Sequence, residues 1–189
     1  MIHSVLMKIF ALIYCILSFQ AAYADSAQVQ YYVGEAVTTN MNTGAVTRAP
    51  YIDERTTDSN AGTITEKVVT KQGSGFVENT AVLKVSGNHF SMTESTGTVT
   101  GQGDLTGTAW NWTFLRGEFS MMMPAFKMRI VDYNFFADPN SIEGHKDFYL
   151  TVMAPNAPNA ERLTQQEDVI LHLVDQATFT AKRAALLTH

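Results

Sequence analysis

The chain has 189 residues, of which 46% are hydrophobic, and it carries 13 Lys and Arg against 18 Asp and Glu. The net charge of −5 argues against nucleic acids and anionic membrane surfaces as partners, because both attract basic proteins. Beyond its first 24 residues the sequence contains no apolar segment long enough to cross a membrane as a helix. The remaining length is sufficient for one domain with a hydrophobic core.

Residues 1–24 have the pattern of a cleaved signal peptide. Lys8 precedes an apolar run at 9–19, and Ala22-Tyr23-Ala24 fits the small-residue site of signal peptidase. The run suits a signal peptide and is too short for a membrane-spanning helix. We therefore predict an exported protein, periplasmic or secreted, whose mature chain begins at Asp25. Cleavage would remove Cys15, the only cysteine, and with it any disulfide or thiolate site.

Strand and turn patterns alternate through residues 27–103. β-Branched and aromatic residues predict strands at 27–39, 45–58, 63–71 and 76–85, and a further strand begins near Phe90. Asn, Gly and Ser, the usual turn residues, occur between these segments. Short strands at such regular spacing indicate an antiparallel sandwich or barrel.

The segment 101–136 has the clearest strand pattern. Bulky and small side chains alternate from Leu105 to Phe114, so one extended strand would place Trp110, Trp112 and Phe114 on the same face. Arg116-Gly117 is then predicted to form a two-residue hairpin loop. This register pairs Phe114 with Phe119, Trp112 with Met121 and Trp110 with Met123, with a third strand over 126–136.

The last third of the chain predicts two more strands and a helix. After a turn at 137–141, strands are expected over 144–153 and 163–174, with a loop at 154–160 between them. Val169, Leu171 and Leu173 share one face of the last strand, and His172 lies on the other. Asp175 is predicted to cap a helix that runs to Leu187.

Two segments, Gly101–Trp112 and Arg129–Tyr133, resemble those of uncharacterised exported bacterial proteins with lipocalin-like (calycin-type) barrels. The resemblance covers mainly residues 95–150. It implies an all-β domain at 25–189, a single antiparallel up-and-down lipocalin-like β-barrel of about eight to ten strands with a C-terminal helix at 175–187. It also implies one open mouth and a central cavity for a small apolar molecule.

We expect the function to be binding of a small hydrophobic ligand inside this barrel. The candidate cavity residues are Trp110, Trp112, Phe114, Phe119, Met121 and Met123. The same side chains could instead fill the interior as a core. These two alternatives predict different losses of stability when Trp112 is truncated to alanine.

An enzyme built on the same barrel, such as a cyclase, isomerase or hydrolase with polar residues at the rim, is the alternative. Glu143, His145 and Asp147 share one strand face, as an acid–base or metal site requires. We expect this triplet on the outer face, with Phe148 and Leu150 inside, because a solvated strand face has the same pattern. We accordingly predict no catalytic residue, cofactor or metal ion.

Two further expectations concern the barrel exterior. Arg129 and Asp132 could form an ion pair near the rim. An outer-membrane β-barrel is a less favoured reading, because the succession Thr65-Glu66-Lys67 breaks the lipid-facing alternation and the chain ends in a predicted helix.

Overall fold

The structure is a computed structural model that describes residues 27–95, 97–108, 111–123, 125–153 and 160–188. The predicted signal peptide lies outside these residues. Within them the chain forms ten strands and one helix. The strands are β1 (Gln28–Asn40), β2 (Val46–Asp58), β3 (Thr63–Gln72), β4 (Gly75–Ser86), β5 (His89–Glu94), β6 (Val99–Thr108), β7 (Asn111–Met123), β8 (Phe126–Asp138), β9 (Ser141–Val152) and β10 (Arg162–Val174). The helix, α1, spans Gln176–Leu187.

The ten strands form one closed barrel. Each strand pairs antiparallel with the next along the chain, and β1 pairs with β10 to complete the ring. The predicted all-β class, the up-and-down antiparallel barrel and the C-terminal helix are thus confirmed. No helix in the described part of the chain is long and apolar enough to span a membrane.

Most of the predicted strands lie where the sequence placed them. β1 to β4 begin and end within one residue of the predicted bounds, and the turns that follow β1 and β2 contain Gly44 and Gly62. Both glycines have positive φ, 72° and 63°, a conformation that other residues rarely adopt. The turn residues therefore help to define where the first strands of the barrel end.

The predicted hairpin at Arg116-Gly117 is wrong. β7 continues through both residues, and the segment 105–114 is divided between the end of β6 and the start of β7. Phe119 consequently pairs with Gly101 of β6 and Ile130 of β8, not with Phe114. The glycine with positive φ in this region is Gly107, at 109°, beside an irregularity in the β6–β7 register.

Gly117 does not form a turn; it leaves room for a packed side chain. The Phe119 ring lies over Gly117, and a Cβ atom at Gly117 would overlap the Cζ, Cε1 and Cε2 atoms of that ring. Gly101 pairs with Phe119 across the β6–β7 ladder, and a Cβ atom there would overlap the same ring and the backbone carbonyl oxygen of Glu118. Glycine is required at these two positions because the Phe119 ring occupies the space that a side chain would need.

Inward-facing side chains form two apolar clusters. The larger contains Ile64, Leu83, Phe90, Met92, Leu105, Trp112, Leu115 and Phe119. The smaller contains Tyr32, Ala36, Tyr51, Ile142, Val169 and Leu171, and the partly buried Phe136 packs against both. This arrangement places an aromatic and aliphatic lining around most of the interior.

The helix packs on the outside of the barrel. Phe179, 3% exposed, is buried with Ile52 and Val69, and its ring centre lies 5.0 Å from that of Tyr31. Asp175 caps the helix as predicted, since its Oδ1 accepts a hydrogen bond from the Thr178 backbone N–H at 2.8 Å. The interior is thus left to the side chains of the strands.

Candidate ligand-binding site inside the barrel

The predicted cavity residues do not all lie inside the barrel. Trp112 and Phe119 are buried inside, with 5% and 7% of their surface exposed, and Met121 is half-buried on the same face as Phe119. Phe114 is 39% exposed on the outer face. Trp110 lies outside the described residues, and of Met123 only the backbone is described.

A bulge explains why Phe114 points outward. Trp112 pairs with Gly107 and Phe114 pairs with Thr106, so Thr113 is an extra residue on β7. An extra residue reverses the inward and outward alternation beyond it. The expectation that Phe114 shares a face with Trp112 is therefore wrong, and Leu115 takes the inward position instead.

Trp112 borders a buried polar cluster, which we call the Arg55 cluster and define as Tyr32, Asp53, Arg55 and Glu66. Arg55 Nη2 donates to Asp53 Oδ2 at 3.1 Å and to Glu66 Oε1 at 2.7 Å. The Arg55 guanidinium carbon lies 5.1 Å from the centre of the Trp112 ring and 5.6 Å from that of Tyr32. A charged group is thus held against two aromatic faces within the barrel.

Part of this cluster lacks hydrogen bonds. Among the described residues, no partner is present for the Tyr32 hydroxyl, for Asp53 Oδ1, or for Arg55 Nε and Nη1, and all four atoms are buried. Burying a polar atom without a partner costs about 1–3 kcal/mol, and such atoms are rare in folded proteins. The Arg55 cluster therefore contains hydrogen-bond donors and acceptors that no described residue satisfies.

A second polar cluster, the Lys146 cluster, contains Tyr51, Asp132, Lys146 and Glu167. Lys146 Nζ donates to the Tyr51 hydroxyl at 3.2 Å and to Glu167 Oε1 at 3.1 Å. Asp132 is the β8 neighbour of Lys146 in the strand register, and its Oδ1 accepts from Asn134 Nδ2 at 3.0 Å. Lys146 on β9 thus has polar neighbours on the adjacent strands β8 and β10, and it also reaches Tyr51 on β2 across the interior.

Burial shifts the ionisation of both clusters. It raises the pKa of the Asp53 carboxyl to about 7, although the nearby Arg55 acts in the opposite direction. Burial likewise raises the pKa of Asp132 to about 6. Burial opposes the charge of Lys146, yet the oxygens of Tyr51 and Glu167 hold its pKa above the ordinary value. Burial thus raises the pKa of two carboxyls inside the barrel above the ordinary value of aspartic acid.

The polar triplet of β9 lies on the outer face, as expected. His145 Nδ1 is 2.7 Å from Asp168 Oδ1 and its Nε2 is 3.2 Å from Asp147 Oδ1. Hydrogen bonding to Asp168 raises the pKa of His145. In the described residues no group of three or more His, Cys, Asp or Glu side chains could hold a metal ion.

The expected pair between Arg129 and Asp132 is wrong, because alternate residues of β8 face opposite sides. Arg129 lies outside and binds Glu161 through two hydrogen bonds of 2.9 and 2.7 Å, whereas Asp132 belongs to the interior Lys146 cluster.

Sequence reasoning missed the Arg55 cluster. On β2 the inward residues are Tyr51, Asp53, Arg55 and Thr57, and the outward face between them also carries polar side chains. Parity alone does not tell which face is buried when both are polar. The one available signal was the pairing of opposite charges across β2 and β3, where Arg55 lies opposite Glu66.

No protein-family model matches this chain, and no curated protein matches it. Among solved structures, the crystal structure of the ywiB protein from Bacillus subtilis is similar to it with 9% sequence identity and a TM-score of 0.34. The match covers 82% of this chain and 99% of the ywiB chain.

Proposed function

We propose that the protein binds a small molecule with an apolar body inside the barrel. The observation that carries this proposal is the contact between the buried Trp112 and Arg55, whose Nε and Nη1 have no partner among the described residues. An apolar wall with a few convergent polar groups is typical of small-molecule sites.

The number of strands supports the proposal. Barrel diameter grows roughly in proportion to strand number, so ten strands enclose an interior about a quarter wider than that of an eight-stranded barrel. Eight strands already leave room for one small ligand in some barrels. The interior enclosed by ten strands is therefore wider than that of barrels already known to hold a ligand.

Titration with N-phenyl-1-naphthylamine, an uncharged apolar dye, tests this proposal. We expect saturable binding to the purified chain, with the dissociation constant raised at least threefold by Met121→Gln on the inward face. Met122→Gln is the matched control, because Met122 is the next residue of β7 and is 62% exposed. Absence of saturable binding, or equal weakening by both variants, would contradict the proposal. A second test is native mass spectrometry of protein purified from its own host, which detects a ligand retained through purification.

An enzyme is a second candidate, and one observation favours it. Burial raises the pKa of Asp53 to about 7, and the carboxyl lies beside Arg55 and the unpartnered hydroxyl of Tyr32; perturbed carboxyls of this kind serve as general acids or bases in enzymes. Structural ion-pair networks produce similar pKa shifts, which is why binding is the primary proposal. Turnover of any small ester or ketone that falls at least 100-fold in Asp53→Asn, with unchanged dye binding, would favour the enzyme.

We further propose that the protein is exported and that its mature chain begins at Asp25. The support is the apolar run and the Ala22-Tyr23-Ala24 site, which together fit a signal peptide. The intact mass of the exported form tests this directly. A mature chain that still contains Cys15 would contradict it.

A further inference from the structure

We infer that the group recognised by the Arg55 cluster is uncharged and carries both a hydrogen-bond donor and an acceptor, as a primary carboxamide does. This inference rests on the proposed binding function. It follows from which atoms of Tyr32, Asp53 and Arg55 are already paired and which are not.

The unpaired atoms are of both kinds. Asp53 Oδ2 is bonded to Arg55, which leaves Oδ1 as a free acceptor. Arg55 uses Nη2 for both of its carboxylate partners, which leaves Nε and Nη1 as free donors. The Tyr32 hydroxyl can act in either role. A ligand that satisfies this set must offer a donor and an acceptor together.

An ionic ligand satisfies only half of the set. A carboxylate would accept from Arg55 but would face Asp53 Oδ1 and the negative charge of Glu66 at close range. An ammonium group would donate to Asp53 but would face the guanidinium of Arg55. Either ion would leave buried atoms unpaired and bring like charges together in a region of low dielectric.

The charge already present argues specifically against an anionic ligand. Arg55 is matched by Asp53 and Glu66, and Lys146 is matched by Glu167, with Asp132 bonded to the amide of Asn134. No described cation of the two clusters is left without a carboxylate. An anionic ligand would therefore add to an excess of carboxyl groups, whereas an uncharged one leaves the balance unchanged.

The apolar part of such a ligand has a neighbouring surface. Trp112 packs against Phe136 with ring centres 4.7 Å apart, and both belong to the apolar lining that begins at the guanidinium of Arg55. A polar head at Arg55 can thus be followed by a hydrocarbon body along this lining. An aliphatic carboxamide has this chemistry.

Three ligands with the same chain test the inference: dodecanamide, dodecanoate and dodecylammonium, each measured by displacement of N-phenyl-1-naphthylamine at pH 8. We expect the amide to bind at least tenfold more tightly than either ion, because sites that hydrogen-bond a ligand group reject analogues lacking it. Equal or tighter binding of either ion would overturn the inference and leave the proposed function intact. If neither the dye nor any of the three binds, both proposals fail.

Asp53→Asn sharpens the test. The asparagine oxygen would accept from Arg55 and turn its NH₂ group toward the ligand, so the free acceptor becomes a donor. We expect the preference to move at least tenfold toward dodecanoate. Asp168→Asn is the control, since it removes the same charge from the outer face and should leave the preference unchanged. An unchanged preference in Asp53→Asn would overturn the inference. If Asp53→Asn does not fold, the comparison of the three ligands on the wild-type protein still tests the inference.

Discussion

The guanidinium carbon of Arg55 lies 5.1 Å from the centre of the Trp112 ring, although the two residues come from β2 and β7 on different parts of the barrel. A cation over an indole ring is stabilised by about 0.5–2 kcal/mol, more when water is excluded. Both residues are about 5% exposed. This contact joins the apolar lining to the Arg55 cluster, and the proposed binding site depends on it.

Truncation of Trp112 distinguishes a binding cavity from a filled core. In a barrel with space for a ligand, Trp112→Ala should lower the free energy of unfolding by about 2 kcal/mol, less than the roughly 3–5 kcal/mol typical of a packed tryptophan. It should also weaken dye binding. Urea unfolding measures the first effect and dye titration the second.

Phe114→Ala provides the control for this prediction. Phe114 is two residues away on the same strand but 39% exposed, so its loss should cost about 0.5 kcal/mol and leave dye binding unchanged. A full core-sized loss for Trp112→Ala would favour a filled interior and contradict the binding proposal.

The barrel could be predicted from the sequence because the strand and turn signals that indicate it are local. Glycine and asparagine turns at the ends of β1 to β4, and strands of regular length between them, are sufficient to indicate an antiparallel meander. The cap at Asp175 could be predicted for the same reason, since a capping side chain bonds a backbone group three residues away.

The candidate site could be predicted only in part because its contacts are not local. Trp112 was identified from side-chain alternation, but the bulge at Thr113 displaced Phe114 to the outer face, and no propensity specifies a single extra residue. Arg55 and Glu66 meet only after β2 and β3 pair in one particular register. Which polar face lies inside depends on closure of the whole ring.

Gly117 should be intolerant of any side chain while Phe119 is present. A Cβ at Gly117 would overlap the far end of the Phe119 ring, and we expect Gly117→Ala to cost about 1–3 kcal/mol. Phe119→Leu removes the overlapping ring atoms, so the double variant should be more stable than the sum of the two single losses predicts. Chemical unfolding of the four proteins gives the coupling energy.

Gly101→Ala serves as the comparison. Its Cβ would also overlap the backbone oxygen of Glu118, which Phe119→Leu does not remove. Rescue of Gly101→Ala to the same extent, or additive losses at Gly117, would show that the ring position is not the reason for these glycines.

His145 should contribute little, and only at low pH. Its hydrogen bond to Asp168 raises its pKa, so the folded state favours the protonated imidazole. That contribution is fully present below the unfolded value near 6.5 and disappears as the pH rises through the folded pKa. Because the side chain is 38% exposed, we expect His145→Ala to cost about 0.5 kcal/mol or less at pH 5.5.

At pH 8.5 the cost of His145→Ala should be smaller still, and dye binding should not change at either pH because the residue lies outside the barrel. The measurement is urea unfolding at the two pH values. A loss of bound zinc or copper in this variant, with stoichiometric metal in the parent protein, would instead promote the enzyme alternative.

The pH dependence of stability should report directly on the interior carboxyls. Burial raises the pKa of Asp53 from 3.8 to about 7, so between these values the folded state binds a proton that the unfolded state has released. Stability is therefore lost as the pH rises from about 4 to 7, at no more than roughly 1.4 kcal/mol per pH unit for one proton. Asp53→Asn removes the titrating group and should flatten this part of the profile.

Asp132→Asn is the matched variant, because the pKa of Asp132 is about 6. Between pH 6 and 7 it should keep most of the parent slope, whereas Asp53→Asn should not. Urea unfolding at pH 4, 5, 6 and 7 measures all three proteins, and parallel profiles would mean that Asp53 ionises at its ordinary pKa.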